Sequence, residues 1–185
     1  MSRYSDQDHV TAWMQTGRFP AIHDDIAHLI RENVTIQGAA LDVGSCTGLL
    51  SVQLREMGFS DVLGIEPNKT NYTRAVPWDR VTYSHAAVHD DILAEMRNWI
   101  MGMNVSLVVC RRVLPEIEES CDGLVERFAK ALFGSGVKYL AIEGRVPVAK
   151  HSAKLWNVEL EVNAVKGYFG CIAKHKHCRL LESRT

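Results

Sequence analysis

Short apolar runs of strand length alternate along this chain with stretches whose apolar residues recur every three or four positions. The runs occupy 39–43, 61–66, 81–88, 105–110 and 137–143. Between them, Leu50, Leu54 and Met57 form one helical stripe, and Ile92, Leu93, Met96 and Ile100 form another. A third holds Ile117, Cys121, Leu124, Phe128 and Leu132 and ends at Gly134, and a short polar helix is expected over 68–75. Strands separated by helices pair in parallel through right-handed crossovers. The spacing therefore predicts an α/β fold: a Rossmann-like, doubly wound, mostly parallel sheet with helices on both faces. The run VSLVVC (105–110) is nearly all apolar, as suits a strand covered on both sides. Ahead of the first strand, Ile22, Ile26, Leu29, Ile30 and Val34 mark an amphipathic helix with Pro20 at its start. After a loop over 144–153, Leu155, Val158, Val162 and Val165 mark a last helix. The runs 168–173 and 178–182 then read as a C-terminal antiparallel hairpin around 174–177.

A chain of 185 residues is expected to form one domain: 1–35 a helical cap, 36–143 the core, and 144–185 the closing helix and hairpin. Apolar residues make up 46% and charged residues 23%, and the net charge of −1 recruits neither nucleic acid nor an anionic membrane through a global field. The opening MSRYSDQDHVTAWMQ is too polar for a secretory signal, and no apolar run approaches the ~20 residues of a membrane span. Five cysteines form an odd set without a CxxC pair. Reduced thiols in a cytoplasmic protein are expected, without a disulfide framework or a bound metal.

At the end of the first strand the chain reads AALDVGSCTGLL (39–50). A chain that leaves a buried strand and turns at once into a helix needs unusual dihedrals, and glycine also lets a ligand approach the backbone. The dinucleotide fingerprint places a middle glycine beside the pyrophosphate. Here Cys46 stands in that place, and Asp42, two residues ahead of Gly44, would repel phosphates. The turn suits a ligand with a cationic or zwitterionic head, which disfavours a nicotinamide-dependent oxidoreductase.

LDVGSCTGLLS resembles the first motif of class I S-adenosylmethionine-dependent methyltransferases, on Asp42, Gly44 and Gly48. Glu66 ends the second strand (VLGIEPN), eighteen residues after Gly48, where the family's acid accepts from both ribose hydroxyls. VVCRRVLPEI resembles its fourth-strand segment. The resemblance covers about 36–143 and implies S-adenosyl-L-methionine as cofactor. It implies a binding set of Asp42, Gly44, Ser45, Cys46, Gly48, Glu66, Pro67, Ala86, Ala87 and Cys110. In place of the family's adenine-reading acid stands Ala86, so either backbone groups or Asp90 read the base.

Cys110 reads as a small core residue more readily than as a nucleophile, since no Pro-Cys occurs, and no Asp/Asn-Pro-Pro-aromatic motif follows the fourth strand. Both absences count against familiar nucleic-acid base chemistries. Arg111 and Arg112 fall where the acceptor should lie, and would either clamp a carboxylate or phosphate or bridge to Glu116 or Glu118. His23 and His85, with Arg111, are the catalytic candidates, because histidine titrates near neutrality. The segment His175-Lys176-His177-Cys178 reads as a basic hairpin tip, with a metal site or a phosphate or RNA contact as alternatives. Trp13, Arg18, Phe19, His23 and the residues after Cys110 and Glu143 would build the acceptor pocket, open or completed by a second copy, so a monomer or a homodimer is expected. The expected activity is methyl transfer to an oxygen or nitrogen nucleophile of a small molecule or exposed protein side chain, the acceptor unidentified. The alternatives are a catalytically silent cofactor-binding partner protein and an RNA-directed methyltransferase.

Overall fold

The computed structural model describes residues 19–144 and 157–184. Trp13, Arg18, Leu155 and the expected loop beyond Gly144 lie outside the described residues. Helix α1 (Phe19–Asn33) precedes β1 (Ala39–Val43), and α2 (Leu49–Glu56) follows it. Then come β2 (Val62–Ile65), α3 (Lys69–Thr73), β3 (Val81–Ser84), α4 (Asp90–Met103) and β4 (Val105–Arg111). Two helices, α5 (Leu114–Ser120) and α6 (Leu124–Gly134), lead to β5 (Tyr139–Glu143). The described chain closes with α7 (Val158–Val165), β6 (Phe169–His175) and β7 (Cys178–Ser183).

The strands form one sheet in the order β3-β2-β1-β4-β5-β7-β6. Pairing is parallel from β3 to β5, and β7 runs antiparallel to both β5 and β6. The expected doubly wound sheet with its closing hairpin is therefore present. Because alternate strand residues face opposite sides, the sheet divides two cores. Leu41, Val43, Val108, Leu140 and Ile142 pack with Met96, Ile100, Phe128 and Leu132. Ala40, Leu107, Val109 and Ala141 pack with Ile26 and Ile30 of α1, Leu50 and Leu54 of α2, and Phe59. Strand order reverses between β1 and β4, which opens a crevice at the carboxyl ends of those two strands.

The bounds of β2, β4 and β5 shift by one or two residues from the sequence expectation, and three further boundaries differ. The single stripe from Ile117 to Leu132 is two helices. Cys121 is extended and Gly123 is left-handed at φ 70°, and the Glu118 carboxylate accepts from the N–H groups of Gly123 (2.7 Å) and Val125 (3.0 Å), capping the second helix. Strand β3 stops at Ser84 instead of reaching 88, because β2 ends beside it at Ile65 and offers no further ladder. The hairpin turn is narrower than 174–177: His175 and Cys178 already pair. Asp25 of α1 holds this tip, accepting from Lys176 Nζ at 2.7 Å and lying 3.2 Å from His175 Nε2. Among the described residues no helix is long and apolar enough to cross a membrane.

Candidate active site at the strand-order reversal

The turn after β1 uses left-handed backbone at alternate residues: Gly44 (φ 74°), Cys46 (φ 53°) and Gly48 (φ 79°). The N–H groups of Gly44 and Ser45 both donate to the Ile65 carbonyl, at 2.9 and 3.0 Å, which ties the turn to the end of β2. A Cβ on Gly44 would come within 3.2 Å of Val113, and one on Gly48 would run into the Tyr83 ring. Both places need glycine for dihedral freedom, and Gly48 needs it for space as well. Cys46 has neither excuse, and its left-handed backbone is held by a bond from its own N–H to Glu66 Oε2 at 2.7 Å. Burial pushes its thiol up.

Glu66 is only 6% exposed. Its second oxygen accepts from the Asn68 N–H at 2.8 Å, while Asn68 Oδ1 caps α3 through Thr70 and Asn71. Burial pushes the Glu66 carboxyl up, against the pull of those amide donors. The Asn71 side chain also bonds this carboxylate, and since a carboxylate offers about four acceptor sites, capacity remains for a ligand. Asp42 is fully buried beneath the turn, and Ser51 Oγ donates to its Oδ2 at 2.6 Å. Burial raises Asp42 to about 6, with Ser51 and Arg111 opposing.

A cavity of about 100 Å³ opens at this edge between the loops that follow β1, β2, β3 and β4. Drug-sized ligands occupy roughly 300–1,000 Å³, so this one fits a single ring of a larger ligand. Gly44, Pro67, Ala86 and Ala87 line it, four of the expected binding residues. Val43, Ile65, Val88 and His89 line it too, and Val113, Glu116, Ile117 and Ser120 form the opposite wall, which the sequence placed only as residues after Cys110 of an acceptor pocket and named none of. Asp42, Ser45, Cys46, Gly48, Glu66 and Cys110 are not on the wall. The Ser45 side chain lies against Gly64, where a side chain on β2 would collide with it. Cys110 is fully buried, and burial holds its thiol well above the usual range.

The catalytic candidates separate. His85 is exposed, stacks on Tyr72 at 5.4 Å and places Nε2 3.0 Å from the Pro67 carbonyl, so it joins the loops after β2 and β3. Asp90, the alternative adenine reader, is held in a two-pronged pair by Arg127 at 2.7 and 2.9 Å. Arg111 and Arg112 bridge to neither Glu116 nor Glu118. Both pair with Glu143 at the end of β5: Arg111 Nε donates to Oε2 at 2.9 Å and Arg112 Nε to Oε1 at 2.8 Å. His23 is buried beside them, and burial with the two guanidiniums lowers it to about 3, leaving a neutral and weakly basic ring at pH 7. Among the described residues no group of three or more His, Cys, Asp or Glu is placed to hold a metal ion.

No family model and no curated protein sequence matches the chain. Solved structures do. A SAM-dependent methyltransferase from Aquifex aeolicus superposes with a TM-score of 0.60 at 15% identity, over 89% of this chain and 92% of the other. The N-methyltransferase NodS from Bradyrhizobium japonicum WM9 gives 0.58 at 13%, over 89% and 96%. The bifunctional kinase-methyltransferase WbdD gives 0.58 at 15%, over 90% of this chain, which spans about two fifths (39%) of WbdD's length. At these identities the likeness is one of architecture: the chain has the class I S-adenosylmethionine-dependent methyltransferase fold.

Proposed function

We propose that this protein binds S-adenosyl-L-methionine and transfers its methyl group to an oxygen or nitrogen nucleophile of a small molecule or exposed protein side chain. The observation that carries the reading is the joining of the buried Glu66 carboxylate to the turn after β1 at Cys46, beside a cavity at the strand-order reversal. The residues fit such a donor. Pro67, Ala87, Val113 and Ile117 offer an uncharged slot for a planar base, Glu66 keeps acceptor capacity for vicinal hydroxyls, and Asp42 supplies negative charge under the turn. Gly44 carries no side chain to fill the approach.

The donor's sulfonium supplies an activated methyl group that leaves a neutral sulfur behind on in-line displacement. The chain's own contribution is to hold and orient: Glu66 and the glycine turn position the nucleoside, and the apolar walls exclude water. A small acceptor is favoured over RNA by the charge pairing of the surface. Arg80, Arg127, Lys176 and Arg179 are engaged by Asp61, Asp90, Asp25 and Glu159, so no unpaired basic stripe is formed by these residues.

A catalytically silent cofactor-binding protein is the second reading, favoured by the weak basicity of His23 and the tethering of His85 to Pro67. The test is thermal shift with S-adenosylhomocysteine and NADH side by side, followed by turnover of the methyl donor against acceptor panels. Stabilisation by S-adenosylhomocysteine alone and release of that product support the first reading. Stabilisation without turnover supports the second, and stabilisation by NADH alone overturns both.

A further inference from the structure

Two guanidinium groups converge on one carboxylate at the carboxyl edge of β4 and β5. The parallel register sets Arg111 directly beside Glu143. Arg112 follows in a left-handed conformation at φ 58°, and its N–H donates to the Glu143 carbonyl at 2.7 Å while its side chain bonds the same residue's carboxylate. A long side chain is thus kept in a sparsely populated backbone region by bonds to one acid, a feature found where surroundings over-determine a functional geometry.

Each guanidinium carries five N–H donors in a fixed fork. Glu143 satisfies Arg111 Nε, but Arg111 Nη2 is buried without a hydrogen-bond partner. A buried unmet donor on a permanently charged group is rare and calls for an explanation. The other nearby acid does not meet it: Asp42 acts on Arg111 through space and takes its bond from Ser51. His23, uncharged, brings no countercharge. Arg111 is also close enough to the turn after β1 to be felt by Asp42 and Cys46, so it stands between the nucleoside side of the crevice and the β5 edge.

We propose that Arg111, through its unfilled Nη2 and with Glu143 and Arg112 fixing its plane, is an oxyanion-binding subsite that takes a carboxylate or phosphate. That group is carried either by the amino-acid end of the donor or by the methyl acceptor. Arginine suits the task because its planar fork matches an oxyanion's geometry.

The test uses Arg111→Met, with Arg111→Lys to retain charge without the fork. Glu143 keeps Arg112 as partner in both, and circular dichroism checks folding. The probes are S-adenosylhomocysteine, 5′-methylthioadenosine (the same nucleoside without the amino acid) and inorganic phosphate. If the donor supplies the anion, Arg111→Met loses about tenfold or more in affinity for S-adenosylhomocysteine, keeps its affinity for 5′-methylthioadenosine, and Arg111→Lys recovers part of the loss. If the acceptor supplies it, both nucleoside affinities stay at wild-type values, and the rise in Tm that phosphate gives the S-adenosylhomocysteine-saturated protein is lost in Arg111→Met. An unchanged affinity ratio together with an unchanged or absent phosphate response overturns the subsite. The nucleoside arms rest on the methyl-donor reading. A wild type that binds neither nucleoside overturns that reading alone, and the phosphate response of the unliganded protein then decides the subsite.

Discussion

The Glu66 carboxylate accepts the main-chain N–H of Cys46 at 2.7 Å, so the acid closing β2 and the turn closing β1 are one hydrogen-bonded unit. Two segments twenty residues apart in sequence are thereby held in fixed relation before any ligand arrives. Fixing them in advance removes an ordering cost from binding.

Glu66→Ala is expected to weaken S-adenosylhomocysteine binding by about 1–3 kcal/mol, the cost of leaving polar partners unmade. It also strips the acceptor from the N–H groups of Cys46 and Asn68, so stability falls as well. Calorimetry and denaturant titration read the two effects separately. Unchanged affinity removes Glu66 from the binding site.

Gly44→Asp is expected to abolish that binding while leaving the circular dichroism spectrum close to native. The new side chain would sit on a left-handed residue, against Val113 and at the cavity mouth. An intact affinity places the ligand elsewhere.

Cys46 has a left-handed backbone without being glycine, a conformation that costs a non-glycine residue about 1–2 kcal/mol. Cys46→Gly is expected to leave donor affinity unchanged and the Tm level or raised. Cys46→Val, branched at Cβ and so poorer still in this region, is expected to lower stability and Tm. A variant pair with equal Tm values contradicts the assignment of strain to this position.

Asp42 and His23 make opposing contributions to the pH dependence of stability. Asp42 is raised from 3.8 to about 6, so the native state takes up its proton first and stability rises as pH falls from about 6 to 4. Above 6 the buried ionised carboxylate costs about 3 kcal/mol. His23 is lowered from 6.5 to about 3, so the unfolded chain takes up its proton first and stability falls as pH drops below 6.5. These two slopes cancel between pH 6 and 4. Urea titrations of His23→Gln should therefore show stability rising over that window relative to the wild type, and Asp42→Asn should show it falling. Parallel profiles for all three proteins contradict both shifts.

Local signals in the chain carried much of this architecture. Strand runs of apolar residues and the acid-glycine turn depend on neighbours within a few positions, and β1 over 39–43, the start of β4 at Val105 and the end of β5 at Glu143 fall where periodicity puts them. The wall formed by Val113, Ile117 and Ser120 escaped because an apolar stripe running unbroken from 117 to 132 conceals a helix break made by Glu118 capping across Gly123. The segment Glu118-Glu119-Ser120-Cys121-Asp122-Gly123, a capping acid followed by turn formers, was the available signal. The partner of Arg111 and Arg112 escaped for another reason. Glu116 and Glu118 are nearer along the chain, but the lateral register of β4 against β5 sets Glu143 beside Arg111.

The most direct measurement is a crystal structure of the protein with S-adenosylhomocysteine bound. The proposed binding mode requires both ribose hydroxyls within hydrogen-bond distance of the Glu66 carboxylate, the base between Pro67, Ala87 and Val113, and the amino-acid end over the Gly44 turn. A nucleoside bound away from Glu66, or a crevice left empty at saturating ligand, contradicts it.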